Sequence, residues 1–297
     1  PYYSVDKKYF SITNLKNTNM GYTYSLSALF EKSFYFGLDL AASYTFGHSK
    51  SVYDGTSSVA YSNWKYNYAV DSNNPGLAYS MFDIPHRVMV SVGYRTPRYA
   101  KGFMATTVSL VYNGYVGQRY SLTMNESYYD AEKKKTVYID YNGDGWGGNS
   151  LLYIPTEDEL QKMDFKTEED RRKFDEWIEG DSYAKKHRGA YAMRNSNSAP
   201  WENRVDLHVA QDIFVLKDRG SKFQVTFDVT NFANMLNKKW GTTYTAAYNV
   251  MPLQVIGSKK GEDGNYTNTY AYNSRNTITK NDVLSRWHAQ IGFKYIF

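Results

Sequence analysis

From Met20 onward every second residue is apolar: Met20, Tyr22, Tyr24, Leu26, Ala28 and Phe30 alternate with Gly21, Thr23, Ser25 and Ser27. Side chains of an extended strand point to opposite faces with a period of two, so this stretch reads as a strand with one greasy face. After a short Lys32-Ser33-Phe34 turn the pattern resumes with Phe36, Leu38, Leu40, Ala42, Tyr44 and Phe46, which makes a hairpin. A second hairpin joins Val88, Val90, Val92 and Tyr94, through Thr96-Pro97-Arg98-Tyr99, to Met104, Thr106, Val108, Leu110 and Tyr112. A third joins Val205, Leu207, Val209, Ile213 and Val215, through Asp218-Arg219-Gly220-Ser221, to Phe223, Val225, Phe227 and Val229. The last strand, Trp287 to Phe297, stands alone, with Trp287, Ala289, Ile291, Phe293, Tyr295 and Phe297 opposed to His288, Gln290, Gly292 and Lys294.

The connections alternate as strictly as the residues. Within a hairpin they take a few residues; between hairpins they take roughly 40, 85 and 50. Short turns on one side and long loops on the other describe an all-β, antiparallel transmembrane barrel of the outer-membrane kind, with periplasmic turns and extracellular loops at about 50–84, 118–201 and 237–284. The long loops are lopsided for the bland alternative, a secreted β-rich domain such as a jelly roll. Mean hydropathy is negative and no run approaches the ~18 apolar residues of a spanning helix. That does not argue against a barrel, in which only alternate residues meet lipid. Thirty tyrosines in 297 residues are an aromatic load suited to interfacial girdles. Seven strands cannot close alone, because bacterial single-chain barrels have even strand numbers, so residues 1–297 are expected to be the C-terminal part of one barrel domain. The opening Pro1-Tyr2-Tyr3-Ser4-Val5-Asp6 lacks the basic start and apolar core of a signal peptide, which points to a sequence that begins mid-protein. An eighth strand within Tyr244 to Ile256 is conceivable, but Pro252 interrupts it and an extra crossing would reverse the last strand.

Several ordered segments carry a resemblance. They are Gly55-Thr56-Ser57-Ser58 with Ser62-Asn63-Trp64, Phe82-Asp83-Ile84-Pro85-His86-Arg87, Asp144-Gly145 followed by Leu151-Leu152-Tyr153-Ile154-Pro155, and Arg188-Gly189-Ala190-Tyr191 with Arg194-Asn195. Further on come Ala199-Pro200-Trp201-Glu202-Asn203-Arg204-Val205-Asp206-Leu207, Val229-Thr230-Asn231-Phe232-Ala233-Asn234-Met235-Leu236-Asn237 and Trp240-Gly241. Together they resemble the C-terminal barrel of TonB-dependent receptors of Bacteroidota, the SusC/RagA-like and especially the Oar-like group. That resemblance implies a barrel of about 22 strands, an N-terminal plug and a periplasmic TonB box. The last two are expected upstream, in an N-terminal remainder of the same receptor that would engage TonB. It also implies that Ile291, Phe293, Tyr295 and Phe297 form the terminal signal read by the barrel-assembly machinery; any lipid-facing strand would show the same alternation.

Asp140-Tyr141-Asn142-Gly143-Asp144-Gly145 places oxygen ligands at alternate positions, as in the first half of a Ca²⁺ loop. Leu151 stands where a bidentate Glu is required, so full EF-hand chemistry is excluded. Asp140, Asn142 and Asp144 then form either a weaker Ca²⁺ site, the one cofactor candidate, or a Gly-rich turn whose Asx side chains bond the backbone. Thr156-x-x-Glu159 and Thr167-x-x-Asp170 predict two helix starts, the second leading into Phe174, Trp177 and Ile178 on one face. That face either packs on neighbouring loops or offers a contact to a surface lipoprotein or a substrate. Trp64, Trp146 and Tyr153, among the loop aromatics, are candidates for stacking on sugars or peptide side chains, or are rigid fillers of polar loops.

Without Cys the chain has no disulfide or thiol chemistry, and its five His lie in separate segments without metal-ligand spacing. No activated nucleophile is visible, so no catalytic role is expected. A net charge of +5 is compatible with a lipopolysaccharide surface and too dispersed for nucleic acid. The expectation is an outer-membrane importer of a bulky nutrient, an oligosaccharide or a peptide. The alternative is a non-transporting barrel scaffold within a larger outer-membrane assembly.

Overall fold

The computed structural model describes residues 8–9, 12–215, 221–245, 249–262, 264–274 and 278–297. Seven long strands form one antiparallel sheet in chain order: β1 (Tyr22–Ser33), β2 (Leu38–Ser51), β3 (His86–Arg95), β4 (Met104–Tyr115), β5 (Glu202–Phe214), β6 (Lys222–Thr230) and β7 (His288–Ile296). A two-residue strand, Ala78–Tyr79, extends the top of β2. Among the described residues β1 and β7 do not pair with each other, so the sheet is open. The third predicted turn, at Asp218-Arg219-Gly220, lies outside the described residues.

The register explains the alternation. Leu26 opposes Phe46, Tyr44 opposes Val88, Val92 opposes Leu110, Leu110 opposes Leu207, Val209 opposes Phe227 and Phe227 opposes Ile291. One face is therefore a continuous apolar band from β1 to β7. Aliphatic residues with Phe227 and Phe293 fill its middle, and further aromatics stand towards its margins: Tyr94, Phe223 and Tyr295 at the turn end, Tyr24, Phe46 and Tyr112 at the loop end. The opposite face carries Ser27, Thr45, Ser91, Ser109, His208, Asp228 and Gln290. On that face Asp212 accepts hydrogen bonds from Arg95 Nη2 (2.7 Å), Lys222 Nζ (2.7 Å) and Gln224 Nε2 (2.8 Å). His208 Nδ1 lies 2.5 Å from Asp228 Oδ1 on the neighbouring strand.

Among the described residues this sheet has no second layer. The chain exposes 18840 Å², whereas a compact protein of its mass would expose about 13,000 Å². Leu26 is 70% and Phe293 82% accessible. In water such a band would drive association, because monomeric soluble proteins rarely expose apolar patches beyond a few hundred Å². Against lipid tails it needs no cover. Ten residues at ~3.3 Å each, tilted by ~40°, reach about 25 Å, the height of the apolar belt of a membrane barrel.

At the turn end the strands meet closely. Gly37 adopts φ +94°, and a Cβ there would lie 2.2 Å from the Arg95 carbonyl oxygen. The Arg95 N–H donates to the Gly37 carbonyl at 2.8 Å, locking the first turn to the foot of β3.

The hydrophobic core lies outside the wall, in the long loops. Tyr120, Leu122, Leu152, Ile154, Leu160, Phe174, Ile178, Val250 and Leu253 form one buried cluster. The second loop supplies α2 (Glu157–Lys162) and α3 (Glu168–Gly180), and α1 (Ala60–Lys65) belongs to the first. Both predicted helix starts are realised: Thr156 Oγ1 accepts from the Glu159 N–H (3.2 Å), and the Glu159 carboxylate accepts from the Thr156 N–H (2.9 Å). Thr167 Oγ1 caps α3 through the Asp170 N–H (3.1 Å). The third loop places Asn249–Val250 parallel to Arg119–Leu122 of the second, and its hairpin Leu253–Lys260/Tyr266–Tyr272 pairs with Asp164–Phe165. The segment around Pro252 is thus part of this loop assembly, not an eighth wall strand. The three loops make one folded cap.

Candidate functional site

Two buried ion pairs, each with one partner from the ordered segments singled out in the sequence, join the first two loops, and hydrogen bonds from the same side chains reach the top of β2. Asp83, in Phe82-Asp83-Ile84-Pro85, accepts from Arg119 Nη2 (2.7 Å) and Nε (3.0 Å) and from the Ser49 N–H at the top of β2 (2.6 Å). His48 Nδ1 lies 3.3 Å from the same carboxylate. Arg119 also lies 4.1 Å above the Tyr79 ring. Arg194 donates to Asp54 Oδ2 (2.9 Å) and to the Ser51 carbonyl (2.6 Å), while Asn195 Nδ2 donates to the Tyr79 carbonyl (2.8 Å). Burial pushes the Arg194 guanidinium down from its ordinary range, and Asp54 opposes that shift. One arginine from each end of the second loop therefore clamps the first loop.

A third post stands after β6. Asn231, in the left-handed region at φ +56°, donates from its backbone N–H to Asp206 (2.7 Å) and from Nδ2 to the carbonyls of Gly241 and Ser285 (both 2.8 Å). Gly241 has φ +57°, and a Cβ there would lie 1.9 Å from Asn231 Oδ1. The pairing of Asn231 with Trp240-Gly241 is thus a close backbone approach that a side chain would break.

Between the first loop and the roots of the second lies a cavity of about 390 Å³, lined by Tyr53, Tyr66, Tyr68, Asn63, Asn67 and the two arginines among others. Trp64 and Trp146, expected as contact residues, are not among the residues that line it. Trp64 follows Tyr61, with ring centroids 5.7 Å apart, and its Nε1 donates to Asn73 Oδ1 (3.1 Å). Lys65 Nζ sits 3.2 Å from the Trp146 ring centroid, and Tyr66 meets Trp146 edge to face at 6.4 Å. Tyr153 lies elsewhere, its hydroxyl donating to Glu159 (2.9 Å). Phe174 is fully buried and Trp177 packs beside it at 6.0 Å, so both rings build the cap core. Ile291, Phe293, Tyr295 and Phe297 all lie on or beside the exposed apolar band of β7.

In the Asx loop the Asp144 N–H donates to Asp140 Oδ1 (3.1 Å), the Gly145 N–H to Asp140 Oδ2 (2.8 Å) and the Trp146 N–H to Asp144 Oδ1 (2.7 Å). Asp144 Oδ2 accepts from Ser72 Oγ (2.6 Å) and Asn149 Nδ2 (2.7 Å). Asn142 Oδ1 accepts from the Asp144 N–H (3.2 Å) and its Nδ2 donates to Asn149 Oδ1 (3.0 Å). The three side chains act here as organisers of a turn and dock it on the first loop. Among the described residues no group of three or more His, Cys, Asp or Glu is placed to hold a metal.

Sequence reasoning overlooked Glu126. It is buried, accepts from the Gly148 N–H and the Ser150 hydroxyl, and has no cation beside it among the described ion pairs. Burial pushes its carboxyl up to about 7; the Ser150 hydrogen bonds oppose the shift and Asp144 reinforces it. The folded cap therefore keeps a proton that the unfolded chain releases near the ordinary glutamate value of 4.5. Stability falls as pH rises between those two values and stays at the lower level above the folded value. Hydrogen exchange at Gly148 and Ser150, corrected for its intrinsic pH dependence, should report progressively easier opening across that window. Glu126→Gln should flatten the profile; an unchanged profile would show that another group sets it.

The apolar outer face, the polar inner face and the capped loop end define a membrane β-barrel wall. A family model for the outer membrane beta barrel domain matches residues 1–285, and the chain belongs to that family. It is located in the outer membrane. No curated protein and no solved structure matches the chain.

Proposed function

We propose that the chain forms the C-terminal wall and extracellular cap of a TonB-dependent receptor of the SusC/RagA-like, more specifically Oar-like, group, importing a bulky nutrient such as an oligosaccharide or a peptide. The observation that carries this reading is the combination of an open wall with a large pre-folded cap. Among the described residues the seven strands leave β1 and β7 unpaired at the sheet edges, which suits a larger barrel, and the enclosed lumen grows with strand number. A wide lumen under a structured cap suits a solute too large for a simple pore. The ordered segments Phe82-Asp83-Ile84-Pro85, Arg194-Asn195 and Val229 to Asn237 add support, because each holds a junction in the cap or at its base. TonB, a plug, a surface lipoprotein and the barrel-assembly machinery are the partners that this reading implies.

Uptake of a labelled nutrient by cells carrying the full-length protein tests it. Dissipating the proton-motive force or disrupting TonB should abolish uptake while surface binding persists. Uptake that is indifferent to both would sink the energised reading. Surface binding of a macromolecular partner without any uptake would favour the scaffold.

A further inference from the structure

The outward side of the wall is chemically uneven. Among the described residues its outward positions from β1 to β7 carry no Asp or Glu, and their basic side chains are Lys32, His48, Lys50 and His86. Lys32 stands alone at the turn end. The other three stand together at the loop end, on the neighbouring strands β2 and β3, because Phe46 opposes His86 and Lys50 opposes Tyr79. Along β4 and β5 the outward loop-end positions are neutral, Gly114 opposite Asn203. A girdle that only marks the membrane interface repeats around a barrel. This cluster is confined to two strands of the seven.

Its frame is a set of packed rings. Tyr24 meets Phe46 at 6.0 Å and His48 at 5.9 Å, and Phe46 meets His86 at 5.3 Å. Asp83, 3.3 Å from Nδ1, fixes the His48 ring. The Tyr44 hydroxyl lies 2.7 Å from His86 Nδ1. With that hydroxyl donating, the neutral imidazole keeps its proton on Nε2, which is then a donor. Lys50 Nζ lies 4.7 Å from the Tyr79 ring centroid, and among the described ion pairs no carboxylate neutralises it. The other cation on Tyr79, Arg119, is already matched by Asp83.

Height on the wall decides what meets this cluster. Phe46 closes the apolar band, and His48 and Lys50 follow at two-residue steps of roughly 6.6 Å. Hydrocarbon chains lie against the band below, so the first polar layer above Phe46 is that of lipid headgroups. A lysine stem lies along apolar surface and carries its ammonium into such a layer.

We propose that Lys50 and His86, on the frame of Tyr24, Phe46, His48 and Tyr79, form a site on the outer face of the wall for the phosphate of an outer-leaflet glycolipid. The Lys50 ammonium pairs with the phosphate, His86 Nε2–H donates to a headgroup oxygen, and the acyl chains lie on Leu26 and Val88. The unneutralised ammonium selects an anion over a neutral sugar, and the absence of outward carboxylates leaves nothing to repel it. This site is independent of what the barrel carries inward and holds for an importer and for a scaffold alike.

Native mass spectrometry of the full-length protein in neutral detergent tests it. The probes are lipid A bearing its phosphates, the same lipid A after phosphatase treatment, and inorganic phosphate. The phosphorylated lipid should bind about fivefold more tightly than the dephosphorylated one, a comparison that needs no variant. Lys50→Gln should remove about that factor and Lys50→Arg should keep it. Lys50→Gln combined with His86→Leu should bind the two lipids alike, whereas Lys32→Gln, outward at the other end of the wall, should bind as the unmodified protein does. Equal affinity of the unmodified protein for both lipids overturns the proposal. So does selectivity that survives the double change, or that falls as far with Lys32→Gln. Inorganic phosphate that displaces the lipid at equal concentration would mark a free-anion site and overturn the assignment to lipid.

Discussion

Replacing Asp83 with alanine is expected to free the cap from the top of β2, at a cost of about 3–5 kcal/mol. The carboxylate is 2% exposed and receives both an arginine and the Ser49 N–H, so its loss strands a buried cation and a buried donor together. Among the described residues Arg119 would keep the Ser196 carbonyl at 3.3 Å and the Tyr79 ring. Hydrogen exchange at Ser49 and along Arg119–Leu122 should accelerate, and proteases should enter the first loop. The informative comparison is the double change Asp83→Leu with Arg119→Met. Removing both charges restores much of the stability when the penalty comes from an unpaired ion. A single mutant with normal protection would show that the clamp does not hold the cap.

The second large effect concerns the wall. Val209→Arg places a charge in the aliphatic middle of the apolar band, between Val108 and Phe227, and should cost about 2–4 kcal/mol of folding free energy in a bilayer. One residue away, His208→Arg projects to the polar face beside Asp228 and should change stability by less than about 1 kcal/mol. Urea titration of folding into lipid vesicles measures both. Equal penalties on the two faces would contradict a lipid-facing band.

The legibility of the sequence depends on where water is. Across the wall one face meets lipid, so the alternation from Met20 to Phe46, Val88 to Tyr112 and Val205 to Val229 declared the strands and their two faces. The strand limits were less legible: Lys32 and Ser33, expected in the first turn, are paired in β1, and Phe36, expected in the second strand, lies in the turn. β2 continues to Ser51 beyond Phe46, because His48 and Lys50 stand above the lipid, where an outward residue no longer needs to be apolar. The helix starts at Thr156 and Thr167 were legible because capping is a local interaction with a fixed spacing. The cap's tertiary organisation was not. Asp83 and Arg119, or Asp54 and Arg194, are far apart in sequence and carry no periodic signal. Phe174 and Trp177 share a helix face that the sequence alone leaves open between packing and a contact surface, and only the seating of α3 turns it to the core. Glu126 was invisible because a lone Glu in a polar loop looks solvated. Only the fold buries it.

The position of the buried core sets the order in which the molecule can be completed. Its parts leave the wall after β2, β4 and β6, and the parallel pair Asn249–Val250 with Arg119–Leu122 joins residues far apart in the chain. Contacts of such long separation form late, since the intervening chain must first be placed. The cap should therefore be the last part to mature, assembled from loops whose wall strands are already in place. An antibody against the finished cap, raised to the junction of Arg119–Leu122 with Asn249–Val250, would then recognise fully matured molecules and pass over those whose loops have not yet joined.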